Sequence, residues 1–144
     1  MKVKNIADAE DMWHHFTDYK KWIKSHPILV HDFVGKEGTE VDRKRERPLT
    51  MQGFQNFLDD CGIISDVTDY FENAGGRYAD FIHVCKRIKR NITADQIEGG
   101  MTNIYNANIT ARLNGLVDKI QEDGTKKVIF EVTYADDQQK NNPQ

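Results

Sequence analysis

Two short cationic runs carry most of the chemistry that this sequence offers. "RKRER" at 43–47 holds Arg43, Lys44, Arg45 and Arg47 around Glu46, and "KRIKR" at 86–90 holds Lys86, Arg87, Lys89 and Arg90. Guanidinium and ammonium groups at this density suit phosphate oxygens, and each phosphate they neutralise releases counterions. Contacts of that kind position a nucleic acid without reading its bases. Each run also has a plainer use. Glu40, Asp42 and Glu46 surround the first, which suits a solvated hairpin, and an exposed helix face paired with carboxylates would accommodate the second. The net charge of −3 means that the molecule as a whole is not an electrostatic DNA binder. Any such contact must come from a local patch.

A second feature points the same way. Residues 49–73, "LTMQGFQNFLDDCGIISDVTDYFEN", place two short helical patterns on either side of a Cys-Gly-Ile turn. A helix-turn-helix reads this way, and its second helix ordinarily enters the major groove. Here that second helix carries Asp66, Asp69 and Glu72 and no Lys or Arg. Two helices joined by a glycine turn also occur as ordinary core packing. Gln52, Gln55 and Asn56 on the first helix are the polar side chains suited to a DNA contact.

The remaining candidates for chemistry are weaker. No G-x-x-x-x-G-K-[ST] loop is present, so nucleotide hydrolysis would belong to a partner; "GKEG" at 35–38 lacks both the spacing and a following helix. His14 and His15 point about 100° apart on a helix and cannot simply chelate together. His31 and Asp32 on a strand face opposite sides. No metal, cofactor or catalytic constellation is assigned, and a non-enzymatic protein is expected. Asp59 with Asp60, and Asp136 with Asp137, read as surface or tail. Cys61 and Cys85 fall at apolar helical positions, which suits reduced core thiols.

These residues need elements to position them. The chain of 144 residues is 38% hydrophobic, enough for one core, and contains no apolar run of membrane-spanning length. The start, "MKVKNIADAEDMW", lacks the apolar stretch of a secretory signal, so a cytosolic location is expected. Asp8 can cap a first helix with the stripe Met12, Phe16, Tyr19 and Ile23, with Trp13 and Trp22 beside it, and Pro27 ends it. Two extended stretches around "GKEG" predict a β-hairpin over 28–47 that carries the first basic run. Met51, Phe54, Phe57 and Leu58 then line a helix that Gly62 stops. Ser65 is expected to cap the next helix, with Ile64, Val67, Tyr70 and Phe71 inward. After "NAGGR", a long helix turns Tyr78, Phe81, Ile82, Cys85 and Ile88 inward and leaves the second basic run on its other faces. The helical signal then weakens, and a last short helix is capped by Asn106 or Asn108 and ended by Gly115.

Beyond residue 118 the pattern changes. "KKVIFEVTY" alternates Val128, Phe130, Val132 and Tyr134 at period two, a strand signal, and "ADDQQKNNPQ" is polar and expected to be disordered. A lone strand needs a partner for its backbone groups. It can pair with the hairpin at 28–47 or with the same strand of other subunits. The second arrangement, an intersubunit barrel, removes every edge and is favoured. The expected fold is thus mainly α: a helical bundle with a helix-turn-helix-like element, an inserted hairpin and a C-terminal strand. It divides into a helical domain at 1–118, a strand segment at 119–135 and a tail at 136–144.

Taken in order, "YKKWIKSHP", a hairpin ending "RPLT", "MQGFQNFLDDCGI", "YADFIHVCKRIKRNI" and "EGGMTNIYNANITARLNGL" resemble the small terminase subunits of tailed bacteriophages, over about residues 19–118. The last stretch is the most specific, with Tyr105-Asn106-Ala107-Asn108, then Ala111-Arg112-Leu113 and Gly115-Leu116. The resemblance implies a non-enzymatic homo-oligomeric ring of about 8–12 subunits. Such a ring would recognise viral double-stranded DNA in the host cell cytoplasm. It would also recruit and regulate the large terminase subunit, the motor and nuclease of genome packaging. Family members often build a central barrel from C-terminal strands. This chain departs from the pattern in its short tail and in its acidic second motif helix. Residues 49–73 alone support a different reading, a dimeric helix-turn-helix transcription regulator.

Overall fold

The computed structural model describes residues 4–116. The order is α1 (Ala9–Ser25), β1 (Ile28–Val34), β2 (Thr39–Arg45), α2 (Met51–Asp60), α3 (Thr68–Glu72), α4 (Ile82–Met101) and α5 (Ala107–Leu113), with two single 3-10 turns at Ala74–Gly76 and Ala79–Phe81. The fold is mainly helical with one two-stranded antiparallel hairpin. The expected strand at 126–134, its barrel and the tail lie outside the described residues.

Helix α1 forms as its sequence dictates. The Asp8 carboxylate accepts from the Asp11 amide, Glu10 and Asp11 suit the positive end of the dipole, and Lys24 suits the negative end. Its stripe of Met12, Phe16, Tyr19 and Ile23 is buried. These side chains meet Phe54 and Leu58 of α2, then Val67, Tyr70, Phe81, Val84, Cys85, Ile88 and Ile92. Aromatic rings supply much of this core. Phe16 and Phe54 meet edge to face at 5.3 Å, and Tyr70 and Phe81 do so at 5.0 Å. Each such side chain contributes about 1.5–3 kcal/mol on burial.

Glycine closes α2 in the expected way. Gly62 has φ of +69°, its amide reaches the Asp59 carbonyl at 2.9 Å, and the Ile63 amide reaches the Leu58 carbonyl at 2.9 Å. This left-handed pair of closing bonds satisfies carbonyls that the helix end would otherwise orphan. The next helix starts differently from expectation. Helix α3 begins at Thr68, its N-cap position is Val67, and Ser65 caps nothing. The Asp66 carboxylate takes that role from one residue further along, accepting from the Thr68 amide at 2.8 Å and from its hydroxyl at 2.5 Å. A carboxylate reaching an amide two residues on is a local turn that competes successfully with Ser65.

Cys61 sits at the exposed end of α2, so only Cys85 is a core thiol, and both cysteines are free. On α4, Ile82 is 36% exposed and Val84 takes the inward position instead. The helix also continues unbroken through Gly99 and Gly100. Their presence answers to α5. A Cβ on Gly99 would collide with the Tyr105 ring, and one on Gly100 would lie 2.8 Å from Thr110 Cγ2. Asn106 caps α5 by accepting from the Asn108 and Ile109 amides, and Gly115 at φ +65° ends it.

Candidate nucleic-acid interface

The hairpin pairs Ile28 with Arg45, Leu29 with Lys44, Val30 with Arg43 and Phe33 with Glu40 around the 35–38 loop. Partners across an antiparallel pair share a face, so Arg43 and Arg45 stand on one side and Lys44 on the other. The run is therefore split. Arg43 Nε also pairs with Asp32 Oδ2 at 2.9 Å, across the ribbon. Arg47 is half-buried, and its Nε donates to the His26 carbonyl at 2.9 Å, tying the hairpin exit to the end of α1. Among the described residues, Lys44 and Arg45 have no carboxylate within salt-bridge distance.

Below the hairpin lies a polar junction that sequence reasoning missed. Lys24 Nζ reaches Asp95 Oδ1 at 2.6 Å, Glu46 Oε1 at 2.8 Å, the Tyr105 hydroxyl at 2.8 Å and the Arg47 carbonyl at 3.3 Å. The other oxygen of Asp95 accepts from the Leu49 amide at 2.8 Å and the Tyr105 hydroxyl at 3.1 Å. Gln96 Nε2 donates to the Leu49 carbonyl at 2.8 Å. Partial burial of Lys24 pulls its pKa down, but hydrogen bonds to Asp95, Glu46 and Tyr105 more than offset this and leave it raised. Its charge is taken up by these partners. The junction joins α1, the hairpin exit, α4 and α5, and its role is to hold the ribbon. Lys24, Asp95 and Tyr105 lie far apart in the sequence and share no motif. Sequence separations of up to 81 residues gave no hint that the three meet.

The α4 run is arranged differently. At 100° per residue, Lys89, Lys86, Arg90 and Arg87 fan over about 160° of the helix, opposite buried Ile88. All four are exposed. None has a carboxylate partner among the described residues. Two instead lie over aromatic rings: the Arg87 guanidinium carbon is 3.6 Å from the Trp13 centroid, and Lys89 Nζ is 5.6 Å from that of Phe71. Neither a protein-family model nor a curated protein matches the chain.

The helix-turn-helix element reads less well as a DNA reader once its dimensions are known. Five residues make α3 about 7.5 Å long, under two turns. Asp66, Asp69 and Glu72 are all exposed on or beside it. Gln55 Nε2 is turned to Asp66 Oδ1 at 3.3 Å, while Gln52 and Asn56 are exposed. Among the described residues no helix is long and apolar enough to cross a membrane, and no cluster of three or more His, Cys, Asp or Glu has metal-binding geometry.

Proposed function

We propose that this protein is a DNA-recognition subunit of viral genome packaging, a small terminase that assembles into a ring and presents its α4 cations to the phosphates of double-stranded DNA. The observation that carries the reading is the fan of Lys86, Arg87, Lys89 and Arg90, exposed and unneutralised by neighbouring carboxylates within residues 4–116. A solvated helix face ordinarily interleaves both signs of charge; this one does not. Lys44 and Arg45 on the hairpin supply further cations.

Self-assembly is supported by two apolar surfaces that nothing in the described chain covers. Leu29 and Phe33 on β1 are 61% and 60% exposed, and Met101, Ile109 and Leu113 around α5 are 79%, 59% and 69% exposed. Apolar side chains grouped in this way mark interaction sites. Two different surfaces on one chain suit a head-to-tail contact, which closes into a ring when the rotation permits. Repetition around a ring multiplies weak phosphate contacts through effective concentration. The large terminase subunit is the partner that would supply nucleotide hydrolysis, in the host cytoplasm.

Light scattering on the eluting species, with and without a DNA duplex, tests the reading. A closed assembly of about 8–12 copies that binds duplexes of unrelated sequence with a steep salt dependence is expected. A monomer at micromolar concentration overturns the ring. A dimer that binds one short palindrome specifically would make the protein a helix-turn-helix regulator instead.

A further inference from the structure

Arg87 does not stand alone on its side of α4. Trp13 of α1 lies beneath it, and Lys20 Nζ of α1 is 5.2 Å from the same ring centroid. The two cationic heads are therefore no more than about 9 Å apart, although they belong to different helices. Trp13 meets Arg87 and Lys24 meets Asp95, so α1 and α4 advance in the same direction. Between them runs an open groove of about 630 Å³ lined by Lys20, Lys21, Lys24, Asn91, Asp95 and Glu98. Its far end is occupied by the Lys24–Asp95 junction and by Glu98. Lys20 and Lys21 of its lining, and Arg87 over the Trp13 ring beside Lys20, have no carboxylate partner among the described residues.

A guanidinium stacked on an indole keeps its N–H edges free while losing much of its rotational freedom. An ammonium beside the same ring is kept within about 9 Å of that guanidinium. We propose that the phosphate-binding tract of α4 continues onto α1 through Trp13, a positioning residue that sets Arg87 and Lys20 side by side against the backbone of duplex DNA. The inference rests on the α4 cations being the DNA face and says where that face leads: across the mouth of the α1–α4 groove, away from α2 and α3. Glu98 bounds the tract by repelling phosphates at the other end.

The full-length protein and a random-sequence duplex, titrated by fluorescence anisotropy over a salt series, test this directly. K20Q is expected to lower the slope of log affinity against log salt by about 0.9, the amount due to one phosphate. R87K keeps its charge but loses the planar stack, and W13L loses the ring; each is expected to weaken binding about 2–5-fold, while W13F retains most of it. The W13L effect should vanish in a K20Q/R87Q background, a result that a merely structural tryptophan would not give. A W13L loss that persists there overturns the proposal. An unchanged slope in K20Q, beside a clear loss in K86Q/K89Q/R90Q, confines the tract to α4 and leaves DNA binding standing. If neither change affects the slope, both readings fail. Competition by a poly-glutamate peptide as strong, charge for charge, as by the duplex would assign the patch to an acidic protein segment instead.

Discussion

Residues of one type separate cleanly by environment in this chain. Burial pushes the Cys85 thiol up to about 11, with nearby Lys89 only partly opposing it. Cys61, at the end of α2, is exposed. In the native protein iodoacetamide should therefore modify Cys61 and spare Cys85, with both reacting in denaturant; mass spectrometry of the alkylated chain checks this, and equal native labelling would contradict the burial. The lysines and arginines divide in the same way. Lys24, Arg43 and Arg47 serve the fold, while Lys86, Lys89, Arg90 and Lys44 face outward without a carboxylate partner in the described chain. Runs of letters could not make that division. "RKRER" and "KRIKR" look alike in sequence, yet a strand distributes alternate residues to two faces and a helix spreads them over a fan. Knowing the element was enough to expect the geometry of the second run, but not the indole beneath Arg87.

Elements set by local pattern were legible, and those set by competition were not. The α1 stripe, the left-handed Gly62 and Gly115, and the hairpin around 35–38 all follow from spacing and backbone preference. The start of α3 did not, because Ser65 and Asp66 compete for the same amides within two residues. The helical signal weakened at Gly99 and Gly100 without breaking, and α4 does run through both glycines to Met101. They persist because α5 packs against the helix backbone there. G99A tests this by sign: helix propensity alone would stabilise the variant by about 0.5–1 kcal/mol, whereas the Tyr105 ring should turn that into a loss of about 1–3 kcal/mol in urea denaturation. A stabilised G99A would mean that α5 is not held closely at this point.

At the scale of the whole molecule, its shifted acid–base groups agree in direction at high pH. Burial raises Tyr19 and Tyr105 above 10.0 and Cys85 above 9.0, and the carboxylates around Lys24 raise it above 10.5. Each group keeps its proton in the folded chain at a pH where the unfolded chain has released it. Stability should therefore be full below about pH 9 and fall as pH rises, with Cys85 titrating first and the others after it. Urea midpoints that begin to drop near pH 9, and drop later in C85A, are the expected outcome. A midpoint constant to about pH 11 would contradict it. Asp66 acts oppositely, since the Thr68 hydroxyl and amide lower its pKa; its contribution is present above 3.8 and lost in stronger acid. The polar junction beneath the hairpin has a mechanical meaning as well. Seven residues of strand reach about 23 Å from the root, so a tilt of about 5° at Lys24 sweeps the loop at Gly35–Gly38 through about 2 Å. The junction is a fulcrum and the ribbon its arm: whatever grips the loop exerts leverage on α4, the helix that bears the cations.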